Sequence, residues 1–296
     1  MAPAKLNKAT VEPSQLRHNT ALDGIRGLAI LMVLFCHLVY ISNGTQTPLY
    51  ALVRGIRDIS ISGVDIFFAL SGFLITRILV RTAMDHHFFL NFYARRALRI
   101  FPLYYGVLFL LFALTPVLHI HWHGDQWRLL TYSNRLFPSS SGNAWNFYYG
   151  GFISLVNFWS LHIEEQFYML WPVFVYFLRT PRRLLPVAAC ISLACLVNRL
   201  ILFHHGYSRE FLYTSLVTRA DSLLIGACLA LALLTRLHPW ILKLATPVFV
   251  SSLFLAIVDF QLQRTYLSSK SIFFPLMFTF FGICATALIA MCLKPA

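Results

Sequence analysis

Arg26 and His37 stand eleven residues apart in a stretch, Leu22 to Tyr40, that is otherwise almost wholly apolar. In a helix that spacing is about three turns and a rise of roughly 16 Å, so the guanidinium and the imidazole share one stripe. Ionisable groups in a hydrocarbon layer are costly, and those that persist usually serve a function. The plainer reading makes Arg26 an interfacial anchor and His37 a satisfied buried histidine. Acids recur in other apolar stretches: Asp65 in Gly63-Val-Asp-Ile-Phe-Phe68, Glu164 and Glu165 in Trp159-Ser-Leu-His-Ile-Glu-Glu-Gln-Phe-Tyr168, and Asp221 in Arg219-Ala-Asp-Ser-Leu-Leu-Ile-Gly226. A carboxylate that orients an imidazole and stabilises its protonated form is a general-base arrangement. The alternative is that these acids pair with nearby bases, Asp221 with Arg219 for instance, and hold helices together. Adjacent helical positions differ by about 100°, so Glu164 and Glu165 cannot face one partner, and both stay candidates.

Two further groups carry charge. Arg95, Arg96 and Arg99 lie in Asn91-Phe-Tyr-Ala-Arg-Arg-Ala-Leu-Arg-Ile-Phe-Pro102. A planar guanidinium binds two phosphate oxygens at once, so the cluster suits a phosphorylated ligand. An ordinary basic loop at the inner face of a membrane would look the same. His119, His121 and His123 alternate as on a strand face, but Asp125 is the sole acid nearby, so no metal is expected; His86-His87 and His204-His205 are weaker candidates still. The 6 cysteines fall in apolar stretches without paired metal spacing and read as small buried hydrophobes.

The elements that position these groups follow from composition. Of 296 residues 58% are hydrophobic and 12% charged, and mean hydropathy is +0.67. Apolar runs of about 18 residues or more recur, the length needed to cross a bilayer. The pattern predicts an all-α polytopic membrane protein with about eight transmembrane helices in one bundle, near 25–41, 61–80, 100–118, 163–178, 184–203, 219–235, 240–258 and 271–293. Strand alternation, the mark of a membrane β-barrel, is absent. Residues 1–20 read as a cytoplasmic tail without a cleavable signal, and 21–296 as one membrane domain. Lys and Arg are denser on the side of the N-terminus, which predicts both termini in the cytoplasm. That distribution, not nucleic acid, accounts for the formal charge of +13. Pro102 is expected in the first turn of the third span. The long segment 119–160 is expected outside, with its aromatics at the interface.

Taken in order, these segments resemble the membrane acyltransferase family often called acyltransferase 3. Arg26 and His37 match its Arg-x10-His motif. Gly63 to Ile75 resembles its second-helix signature, Phe92 to Pro102 its basic loop, and Trp159 to Pro172 its Glu-containing motif. Arg219 to Ala230 resembles a later helix. The resemblance runs from about residue 20 to 235.

It implies transfer of an acyl group, often acetyl, from cytoplasmic acyl-CoA to a hydroxyl of a carbohydrate or glycolipid acceptor. It also implies that His37 leads the catalysis, with Arg26 and the basic loop handling the donor. Read with the acids above, Glu164 or Glu165 would orient His37, and Ser71, Tyr168 or a backbone amide would supply the oxyanion contact. Asp65 and Asp221 are supporting candidates. The chain has fewer spans than the family's usual core of about ten, which suggests a shortened or differently packed member. Two other functions fit the same buried charges: a transporter or flippase for a glycolipid or anionic solute, and an inactive relative that acts as a membrane partner.

Overall fold

The computed structural model describes residues 19–39, 47–120, 126–133, 157–265 and 273–294, with residues 122, 136, 148–149 and 153–155 between them. The N-terminal tail, His121, His123 and Asp125 lie outside the described residues.

The chain enters as α1 (Thr20–Leu38), whose N-cap Asn19 accepts the amide of Ala21 through its side chain. A short amphipathic helix, α2 (Pro48–Ser60), then leads into α3 (Gly63–Thr82). The long α4 (Phe88–Leu118) is followed by the single turn α5 (Gln126–Leu130) and an antiparallel pair of two-residue strands, β1 (Tyr148–Tyr149) and β2 (Ile153–Ser154). Next come α6 (Phe158–Leu178), α7 (Pro181–His204), the short α8 (Arg209–Thr214), α9 (Leu216–Ala232), α10 (His238–Thr265) and α11 (Phe273–Cys292).

Seven of the described helical segments are long and apolar enough to cross a membrane. The helix left out, α6, is as long as the others but carries His162, Glu164, Glu165 and Gln166 in its first half. Among the described residues eight long helices thus stand where eight spans are expected, and the protein is an all-α multi-pass membrane protein apart from the two-residue strands.

One boundary needs correction. The helix of the third span begins well before residue 100: α4 starts at Phe88, so Arg95, Arg96 and Arg99 are helical and not in a loop, and Pro102 is interior. The basic segment holds good helix formers and no breaker before Pro102. A proline inside a membrane helix is tolerated when its surroundings satisfy the freed backbone groups.

α9 is the centre of the bundle, flanked by α3, α7 and α11. Its approach to α3 is at backbone distance. A Cβ on Gly72 would collide with the Leu223 carbonyl, and one on Gly226 with the Ala69 carbonyl. The reciprocal contacts place the two helices parallel at this crossing, the small-residue packing usual between membrane helices. α1 crosses α3 where Gly63 meets Ala29 and Met32. α4 joins α6 through side chains: Phe88 stacks on Tyr176, and the Tyr93 hydroxyl donates to the Met169 carbonyl at 2.9 Å.

Candidate active site

His37 sits in the last turn of α1, exposed, with Nδ1 2.6 Å from the Val33 carbonyl. A carbonyl only accepts, so in the neutral ring Nδ1 carries the hydrogen and Nε2 keeps its lone pair. The backbone therefore fixes the tautomer, a role the sequence reading gave to Glu164 or Glu165. At the other end of the stripe Arg26 is paired with Asp23 at 3.2 Å and remains part-exposed.

The two acids of α6 face different ways. Glu164 looks toward α3. Ser71 donates to its Oε1 at 2.9 Å, and the Tyr168 hydroxyl lies 3.1 Å from its Oε2 and 3.2 Å from the Ser71 hydroxyl. Arg96 closes the group from α4, its guanidinium carbon 4.9 Å from the centre of the Tyr168 ring and 5.8 Å from that of Phe92. A turn further along α6, the Trp171 indole donates to Thr76 at 2.9 Å and ties α6 to α3. Glu165 is buried, and its Oε1 has no hydrogen-bond partner among the described residues. Arg95 and Arg99 are exposed on α4, and the Arg95 Nε donates to the Asn91 carbonyl at 2.9 Å.

His37 and the Glu164 group lie at different depths. From the α1–α3 contact at Gly63, Ser71 is eight residues inward along α3, about 12 Å, and His37 is five residues beyond Met32 the other way, about 7 Å. Arg26 is close to the Ser71 level: its neighbour Ile25 packs with Ala69, Leu70 and Phe73. The structure therefore joins Ser71, Glu164, Tyr168 and Arg96, sets Arg26 at a similar level on α1, and leaves His37 one level out.

Asp65 and Asp221 belong elsewhere. Both are fully buried in a network at the start of α9. Asp65 pairs with Arg219 at 2.9 Å and accepts from Ser222 at 2.8 Å. Asp221 pairs with Arg199 of α7, whose Nη1 and Nη2 lie 3.1 and 2.9 Å from its two oxygens, and accepts from Thr279 at 2.7 Å. The pairing of Asp221 with Arg219, expected from their closeness in sequence, is thus replaced by two pairs across helices. Two residues apart on a helix, side chains point some 200° from each other, so local pairing was geometrically excluded. Arg199 also donates to the carbonyls of Pro275 and Thr218. Rings of Phe278, Tyr213 and Phe68 surround the Arg219 guanidinium at 4.3, 5.2 and 5.7 Å. Sequence reading missed Arg199, although a lone arginine inside an apolar run was signal enough.

No group of three or more metal-ligating side chains occurs among the described residues. Of the histidine triplet, only His119 is described.

The family model described as an acyltransferase domain matches residues 19–294. Curated relatives include a peptidoglycan O-acetyltransferase of Listeria monocytogenes, 31% identical over 221 residues, which is 71% of this chain and 33% of that protein. An O-acetyltransferase of Staphylococcus aureus is 31% identical over 231 residues, 72% of this chain and 34% of that protein. The chain spans about a third of the length of these relatives. No solved structure matches it.

Proposed function

The chain belongs to the acyltransferase 3 family, and from that premise we propose that it is a membrane O-acyltransferase moving an acetyl group from cytoplasmic acetyl-CoA to a carbohydrate hydroxyl. The relatives named as O-acetyltransferases, one of them acting on peptidoglycan, support the acetyl group and the carbohydrate acceptor. The observation that carries the chemistry is the His37 ring, locked through Nδ1 to Val33 so that Nε2 is free to take a proton.

In this reading the donor enters from the side of Arg95, Arg96 and Arg99, the cytoplasmic side if the N-terminus is inside. Its phosphates meet those guanidinium groups and Arg26. The pantetheine arm then passes the Ser71, Tyr168 and Glu164 group and brings the thioester toward His37, a rise of roughly 16 Å along α1 from Arg26. Glu164 holds the two hydroxyls on the path and balances Arg96, whereas His37 acts on the acceptor. Nε2 removes the acceptor proton, the hydroxyl oxygen bonds to the acyl carbon, and the carbon–sulfur bond breaks. The proton then leaves with the CoA thiolate. The membrane that holds this protein is the cytoplasmic one, the compartment boundary with acyl-CoA on one face and glycan on the other.

The test is acetyl-CoA discharge by the purified protein in lipid vesicles, with free CoA as the readout and a glycan acceptor present. Wild type should release CoA and His37→Ala should not. Undiminished acyl transfer by His37→Ala would end the proposal.

A further inference from the structure

We infer that the cavity at the turn between α3 and α4 holds the adenosine end of the donor, an inference that rests on the acyl-CoA reading above. The cavity has a volume of about 410 Å³ and is lined by Asp85, His86, His87, Phe89, Tyr176 and Arg179, among others. None of these residues belongs to the Glu164 group or to the buried ion pairs.

Its chemistry is that of a nucleotide pocket. Phe89 and Tyr176 pack with ring centres 5.0 Å apart and offer flat apolar surface to a purine. Arg179 stands over the Tyr176 ring with its guanidinium carbon 5.2 Å from the ring centre, and its Nε donates to the Tyr176 carbonyl at 3.1 Å. That leaves its terminal nitrogens for a phosphate, with His86 and His87 in the same lining. Arg179 closes α6 at φ 55°, a left-handed backbone that few non-glycine residues adopt. Among the described residues, the Phe89 and Leu90 amides at the start of α4 donate to no backbone carbonyl, adding partial positive charge at the same wall. Asp85 is the one acid on the lining; its carboxylate suits the purine amino group or a ribose hydroxyl, both donors.

Position makes the ligand specific. From the cavity the seam between α4 and α6 continues through Tyr93 and Met169 to Arg96 and Tyr168. Phe88 to Arg96 is eight residues of α4, about 12 Å. A purine laid against the Phe89–Tyr176 pair, with a ribose 3′-phosphate near Arg179, would lay the diphosphate along the seam toward Arg95, Arg96 and Arg99. The pantetheine arm would then continue past Glu164. A phospholipid headgroup has no base to fill the aromatic part of the cavity.

The experiment compares two donors in vesicles, acetyl-CoA and S-acetyl-pantetheine, which carries the same thioester without the nucleotide. Arg179→Gln and Tyr176→Leu should raise the KM for acetyl-CoA by about tenfold, the scale of one base stack or one phosphate contact. They should leave turnover of S-acetyl-pantetheine unchanged. Binding of adenosine 3′,5′-bisphosphate to the full-length protein should weaken in parallel. An unchanged KM for acetyl-CoA, or equal losses with both donors, would overturn the inference while leaving acyl transfer standing. A wild-type protein that discharges S-acetyl-pantetheine and binds no bisphosphate would overturn it too. If wild type discharges neither donor, the underlying acyl-CoA reading fails and the inference falls with it.

Discussion

Replacing Arg199 by methionine tests which charges of this bundle are structural. Arg199 is fully buried and donates to both Asp221 oxygens, to Thr279 and to the carbonyls of Pro275 and Thr218. The substitution leaves Asp221 with Thr279 and no cation at bonding distance. Removing one partner of a buried pair costs about 3–5 kcal/mol, mostly from the charge left behind. Two carbonyls that lose a donor add roughly 1 kcal/mol between them at the strength of hydrogen bonds inside membranes. Arg199→Met should therefore destabilise the fold by about 4–6 kcal/mol. The double variant with Asp221→Asn loses the carbonyl contacts but strands no charge, so it should cost only about 2 kcal/mol. The double variant should thus be about 3 kcal/mol less damaged than Arg199→Met alone, a gap measurable by denaturant titration in mixed micelles. A single-variant loss below about 1 kcal/mol, or a double variant as damaged as the sum of its parts, would refute the reasoning. Asp221→Asn alone, assayed for CoA release well below its unfolding temperature, should keep most of its turnover, because Asp221 is sealed inside the ionic network.

Two further substitutions separate packing from chemistry. Gly226→Ala puts a methyl group into the Ala69 carbonyl, and neither backbone can shift cheaply, so thermal unfolding should show a loss of about 1–3 kcal/mol; an unchanged midpoint would mean that α3 and α9 do not cross as described. Glu164→Gln removes the charge held by Ser71, Tyr168 and Arg96 and should cut CoA release roughly a hundredfold by loosening the donor path, whereas Glu165→Gln should do much less. Equal losses at the two positions, read in the same vesicle assay, would mean that the separate facing of the two acids carries no function.

What the sequence made legible follows from the kind of signal each feature leaves. Hydrophobic runs reveal eight long helices because a bilayer fixes their length. The start of α4 was hidden because Asn91 to Arg99 is polar, and polarity alone does not separate a loop from a helix that runs past the hydrocarbon. Helical phase showed that Glu164 and Glu165 diverge, but choosing the one on Ser71 needs the rotation of α6 against α3. The Asp221–Arg199 pair depends on how α7 packs on α9, for which 22 residues of separation leave no local trace. Orientation of His37 by Glu164 or Glu165, as the sequence suggested, requires them at one depth. The crossing of α1 and α3 at Gly63 sets them apart, since helix ends need not be level.

That separation divides the charges of the bundle into two sets with different consequences. Asp65, Arg219, Asp221 and Arg199 are fully buried and paired across α3, α7 and α9. A closed network of that kind resists change and has no access to a ligand. Arg26, Ser71, Glu164, Arg96 and His37 are part-exposed or exposed, and they are spread along α1, α3, α4 and α6. A group that must exchange a proton or grip a phosphate needs that exposure. The closed set lies on the α9 side of α3 and the open set on its α1 and α6 sides, so α3 is both the wall of the ionic core and the floor of the proposed donor path. It follows that Asp65 and Ser71, six residues apart on one helix, should fail in different ways. Asp65→Asn should lower the unfolding midpoint with turnover preserved below it, and Ser71→Ala should lower turnover with the midpoint preserved. If both moved the same quantity, the division of the bundle into a sealed half and a working half would not hold.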